Sequence, residues 1–265
     1  VLMVVALMPT TVLAEGTTPT RTGTLVITGT DEAIDRIADE GWSWEPSENG
    51  GTLTLNNFHL LVTERYNGSH WGIRFQEFLD GSKINIVLIG ENSITSTVAA
   101  YGYGISVQET RENGNGPHIY YADLAISAQK DENGVEGSLT FDFNTEATMS
   151  PVSIQGKSLT MESGTINTNS DFCLTMYDVS IIGGTINADT SEMLDAYGIV
   201  SARGPVSITG GEVNLISTYI GIQVSGNSTA TDNNAIVSIT GGDVTISAGC
   251  DDEDVLEYGI YSPNI

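Results

Sequence analysis

Positive charge is scarce in this chain of 265 residues. Nine lysines and arginines stand against 34 aspartates and glutamates, a formal net charge of −25. A surface that negative repels phosphate backbones, which argues against non-specific nucleic-acid binding, and it repels anionic membranes too. Cysteine is scarcer still. Cys173 and Cys250 alone make neither a disulfide framework nor a cysteine-rich zinc site. Charged residues are only 16% of the chain against 40% hydrophobic, a balance too apolar for a disordered polypeptide. What is abundant is glycine, 30 in all, with many Thr, Ser, Asn, Val and Ile. That composition favours strands and turns over helices, so an all-β protein is expected.

The only long apolar run is the first, VLMVVALMPTTVLA (1–14). It is too short to span a bilayer and ends in Val12-Leu13-Ala14, small or apolar at −3 and small at −1, so it reads as the remnant of a secretory signal peptide cleaved after Ala14. Export to the cell surface or medium follows, without membrane insertion of the mature chain.

Repetition decides the architecture. The phrases SGTIN, VSIIGGTIN, VSITGGEVN and VSITGGDVT align on Gly164, Gly184, Gly211 and Gly242, spaced by 20, 27 and 31 residues. A second phrase, Gly-Ile after an aromatic, recurs at Gly72, Gly104, Gly198, Gly221 and Gly259. More degenerate units read GTLTLNNFHLLV (51–62), KINIVLIGENSIT (83–95) and LAISA through GSLTFDF (124–143). Units of several short strands cannot each bury a face alone, but stacked they share one core, as in a parallel β-helix, a single-stranded solenoid. A β-sandwich or propeller is the runner-up, with few hairpin turns to support it. One capping helix is expected over Asp31–Glu40, with Thr30 as N-cap and Gly41 as its end. The expected domains are the signal remnant (1–14), an N-terminal strand and capping helix (15–50), and the β-helix (51–265). The final EYGIYSPNI lies in the middle of a unit, so a truncated C-terminus is expected. Cys173 and Cys250 fall at similar corners three units apart. At about 4.8 Å per stacked strand that is about 14 Å, so two free thiols are expected.

The phrases GWSWEPSENGGTLTLNNFHL, INIVLIGENSIT and VSITGGEVNLIS resemble those of secreted Firmicutes proteins known as carbohydrate-binding domain-containing proteins, over residues 23–262. The resemblance implies a right-handed, polysaccharide-lyase-like parallel β-helix that is secreted or surface-displayed and binds plant-type polysaccharide, in some members with Ca²⁺. The unit at 108–137 departs from the pattern.

The aromatics before the Gly-Ile phrases, Trp71, Tyr103, Tyr197 and Tyr258, with Tyr219 one place earlier, are the candidate carbohydrate-binding residues. At equivalent places on stacked units they form a ladder whose rings could pack against sugar C–H faces. The competing reading is a structural stack in which the rings pack on one another. Trp42 and Trp44 are platform candidates of the same kind, or packing between the cap and the first unit. Two acidic loops could supply hard oxygen ligands to Ca²⁺: Asp189, Glu192 and Asp195, and the stretch with Asp251, Asp252, Glu253, Asp254 and Glu257. In the second loop Asp251, Asp252, Asp254 and Glu257 are the candidate metal ligands, and a solvated acidic loop is the bland alternative.

No catalytic set stands out. A lyase needs a cationic base beside carboxylates, and Arg203 is the one candidate by unit order. His59, His70 and His118 lack HExxH spacing, and there is no nucleophile elbow, Walker loop or dinucleotide fingerprint. Asn67 and Asn227 match a glycosylation sequon by chance. Three functions remain: a non-catalytic carbohydrate-binding β-helix, a polysaccharide lyase or glycoside hydrolase, and an adhesin-like stalk.

Overall fold

The computed structural model describes residues 19–65, 69–98, 101–113, 116–143, 151–190, 196–217, 219–225, 236–249 and 258–262, without the side chains of 108–120. The signal-peptide segment, Cys250 and both sequons therefore lie outside the described residues.

The protein is all-β, built on three long sheets. The chain visits them in a fixed cycle, laying one strand on each. A typical turn of the cycle is Ser158–Met161 on the third sheet, Thr165–Thr168 on the first and Phe172–Met176 on the second. The next turn lays Asp178–Ile181, Thr185–Asp189 and Tyr197–Ser201 beside these, parallel and in register. Seven such layers are described, from Gly50–Asn56 to Tyr258–Tyr261.

Strict alternation drives this arrangement. Lys83–Ile89 buries Ile84, Ile86 and Leu88 and turns Asn85 and Val87 outward. In-register pairing repeats that choice, so Leu53, Ile86, Ile126, Met161, Ile181 and Ile208 form one inward column. Columns from all three sheets meet in one core cluster. A slip of one residue would expose a whole column, which is why the register holds.

Polar columns knit the outside. Asn214 donates from Nδ2 to Asn187 Oδ1 at 2.9 Å, and Asn187 donates likewise to Asn167 at 2.9 Å. Between the third and first sheets the chain turns at Gly164, Gly184, Gly211 and Gly242, each with φ between +78° and +87°. This is left-handed backbone that only glycine adopts freely, and it explains why these glycines mark the repeat.

The N-terminal end differs from the expectation. The helix spans only Ile37–Glu40, its N-cap position is Arg36 with no capping side chain, and Thr30 is exposed. Ile34–Arg36 is instead a strand, paired antiparallel to Trp42–Ser47, which pairs antiparallel to Gly50–Asn56. Periodicity over ten residues suited a helix, but the unpaired edge of the third sheet recruits the backbone. A short charged final strand then blunts that edge. Strands Arg21–Thr22 and Leu25–Thr28 already belong to the first and second sheets, so the stack begins within the segment expected to be only a cap.

Trp42 and Trp44 are 5% and 2% exposed, which corrects their reading as platforms. Trp44 packs against Phe75 and Phe78 at 6.1 and 5.9 Å, and the Trp42 indole donates to Glu40.

Cys173 is buried and free. Burial pushes its thiol up to about 12. Because the thiolate is the reactive species, a thiol reagent should label native Cys250→Ser protein at less than about one hundredth of the rate seen in denaturant. Fast native labelling would show that the core opens at the second sheet.

A candidate glycan-binding face

The outer face of the second sheet gathers the candidate aromatics. Pairing aligns Trp71 with Tyr103, Tyr103 with Val152, Val152 with Phe172, Phe172 with Tyr197, Tyr197 with Ile220 and Ile220 with Tyr258. Trp71, Tyr103, Tyr197 and Tyr258 thus share one column, all half-buried. The column is interrupted by Val152 and by Ile220, which is buried; Tyr219 sits one place before it.

Phe172 also belongs to this column, though the phrase does not mark it. It precedes Cys173-Leu174 where other units have Gly-Ile, so a search for the glycine passes over it. The recoverable signal is the order of elements: Phe172 opens the strand that follows Thr165–Thr168, as Tyr197 opens the strand that follows Thr185–Asp189.

Neighbouring rings meet face to face. Trp71 and Tyr103 stack at 4.6 Å and 26°, and Phe172 and Tyr197 at 4.9 Å and 6°. Tyr219 meets Tyr197 edge-on at 5.2 Å, and Tyr101 meets Tyr103 edge-on at 5.2 Å. The Arg74 guanidinium lies over Trp71 at 4.6 Å. Tyr103 donates its hydroxyl to Tyr101 at 2.9 Å. Burial, then that bond, raises the Tyr103 hydroxyl above the ordinary phenol range, so it stays a neutral donor at physiological pH.

Three residues along the strands runs a second, mostly polar column: Arg74, Ser106, Gln155, Thr175, Val200, Gln223 and Tyr261. The face therefore offers ring edges, phenol hydroxyls, planar amides and one guanidinium side by side. These groups hydrogen-bond hydroxyl-rich ligands while their apolar parts contact C–H surfaces.

The other candidates are scattered. Asp251, Asp252, Glu253, Asp254 and Glu257, with Glu192 and Asp195, lie outside the described residues, and Asp189 is an exposed strand end. Among the described residues no three His, Cys, Asp or Glu side chains come together as a metal site would need. His59 bonds Ser93 through Nδ1 at 2.9 Å, and His70 is buried against Phe143. Arg203 lies over the Tyr177 ring at 4.5 Å, away from the aromatic column.

No family model, no curated protein and no solved structure matches the chain.

Proposed function

We propose that the three sheets close into a right-handed parallel β-helix of a secreted or surface-displayed protein that binds plant-type polysaccharide along the outer face of the second sheet. The observation that carries this reading is the register: Trp71, Tyr103, Phe172, Tyr197 and Tyr258 occupy one column beside Arg74, Gln155 and Gln223. An extended glycan lying along that column meets an aromatic edge or a hydrogen-bonding group at almost every layer, about 4.8 Å apart. The resemblance to the Firmicutes carbohydrate-binding proteins supports the same ligand class. The −25 charge favours neutral chains such as cellulose derivatives or xylan, because an acidic pectin would be repelled unless Ca²⁺ bridged the two. The loop carrying Asp251, Asp252, Asp254 and Glu257 would hold that Ca²⁺.

Affinity electrophoresis tests this. The mature chain should be retarded by a neutral polysaccharide, and Trp71→Ala and Tyr197→Ala should each weaken retardation about tenfold, or about 1.4 kcal/mol. Retardation by polygalacturonate should appear only with Ca²⁺ and vanish in EDTA. No retardation in any gel would leave the stalk. One observation favours that second reading: the stacked rings of Trp71–Tyr103 and Phe172–Tyr197 spend their faces on each other, as a purely structural ladder does.

A further inference from the structure

The outer face of the second sheet repeats every three layers, although the chain that builds it repeats every layer. Taken in register from the first layer to the seventh, the aromatic column reads Trp71, Tyr103, Val152, then Phe172, Tyr197, Ile220, then Tyr258. Two rings and one aliphatic side chain thus come twice in succession, and Tyr258 opens a third set. The polar column beside it keeps the same beat. Its two amides, Gln155 and Gln223, stand in the third and sixth layers, the two that lack a ring.

Burial turns this order into a surface. Val152 and Ile220 are each 3% exposed, whereas the five aromatics and both glutamines are partly exposed. The two columns therefore present ring, ring, amide, twice over, and then a ring. The rings of each set are the stacked pairs Trp71–Tyr103 and Phe172–Tyr197. Each pair is met edge-on by one further ring, Tyr101 in the first and Tyr219 in the second. Gln155 hydrogen-bonds the Tyr103 hydroxyl, which holds its amide against the first pair. Neither column carries an Asp or Glu over these seven layers, in a chain with 34 of them. Equivalent groups lie three layers apart, about 14 Å. Ring-on-ring packing asks only that adjacent layers fit. It does not call for an amide in a second column at the layers without a ring.

We propose that this face takes a neutral β-1,4-linked glycan with a threefold screw, such as xylan, and rejects the twofold ribbon of cellulose. The proposal rests on the glycan-binding reading above and narrows its ligand. A pyranose unit in such a chain advances by close to one layer spacing, so three layers correspond to three sugar residues. In a threefold chain each residue turns by a third of a turn, and residues three apart present the same edge to the protein. One kind of hydroxyl then meets Gln155 and, three residues on, Gln223, while the sugar C–H surfaces between them cross the ring edges. In a twofold chain each residue turns by half a turn. Residues three apart then face opposite ways, and only one amide is served. When both amides are served by one chain, the second capture is intramolecular and multiplies affinity.

Titration calorimetry of the mature chain with xylotriose and xylohexaose tests the spacing. Xylohexaose, long enough to reach both amides, should bind at least about tenfold tighter than xylotriose. Gln155→Ala and Gln223→Ala should each lower xylohexaose affinity to near the xylotriose value, and change xylotriose binding by no more than about twofold, because one amide remains. In pull-downs, insoluble xylan should deplete the protein and microcrystalline cellulose should not. Equal depletion by both solids, no step between the two oligosaccharides, or full xylohexaose affinity in both glutamine variants overturns the proposal. If any of these occurs while a polysaccharide gel still retards the parent more than Trp71→Ala, the glycan-binding reading stands and only the threefold match falls. No retardation and no depletion by any polymer overturns both.

Discussion

Phe141→Ala is expected to cost about 3–5 kcal/mol, the range for emptying an aromatic from a packed core. In a chain of this size that is about 6–20 °C of melting temperature. Phe141 is 1% exposed on Ser138–Phe143, packed beside Phe143 at 6.2 Å. It occupies an inward column of the first sheet with Leu60, Ile94, Thr168, Ala188, Leu215 and Ile246. Its neighbours in the column cannot slide to fill the void, because each is fixed by two strand pairings. Thermal unfolding followed by circular dichroism checks the value. A loss below about 1.5 kcal/mol would mean that the layer collapses around the gap instead of keeping a cavity.

Much of this architecture was legible in the sequence because it rests on period-two alternation and on glycines with a conformational duty. The turn glycines Gly164, Gly184, Gly211 and Gly242 require positive φ, so they recur wherever the turn does. The ends were less legible. Asp31–Glu40 has helical spacing, yet tertiary pairing at the sheet edge leaves only Ile37–Glu40 helical. Propensity over ten residues is a weak prior against an open row of backbone donors. The candidate residues divide the same way. Trp71, Tyr103, Tyr197 and Tyr258 share a register because they share a phrase. Phe172 is hidden because its layer has lost the phrase, and only the register shows that it belongs to the column.

The loss of the phrase has a steric cause, and it sets the second large effect. The pairings on either side place Gly72, Gly104, Ser153, Cys173, Gly198, Gly221 and Gly259 in one column of the second sheet. Each glycine with a bulky partner faces the first-sheet residue of the following layer. A Cβ on Gly72 would meet Ile94 Cγ2 at 2.7 Å, one on Gly104 would strike the Phe141 ring, and one on Gly198 would meet Leu215 Cδ1 at 3.0 Å. Where the column carries Ser153, the facing residue shrinks to Thr168, and their hydroxyls bond at 2.5 Å. In the next layer, where it carries Cys173, the register supplies Ala188. Side-chain volume is thus traded between two columns, layer by layer, at nearly constant total, as close-packed interiors demand.

Gly104→Ser should therefore cost about 1–3 kcal/mol by overpacking, with the Ser153 carbonyl 2.6 Å from the new Cβ as well as the Phe141 ring in its way. Phe141→Thr alone should cost at least as much as other losses of a buried ring, about 3–5 kcal/mol. Together the two substitutions rebuild the Ser153–Thr168 arrangement one layer earlier. The double variant should then be more stable than the sum of the singles predicts, by about 1–2 kcal/mol of coupling. Denaturant unfolding of all four proteins reads that coupling directly. Simple additivity would show that Gly104 is demanded by the Ser153 carbonyl and not by the ring, and that the two columns were filled independently.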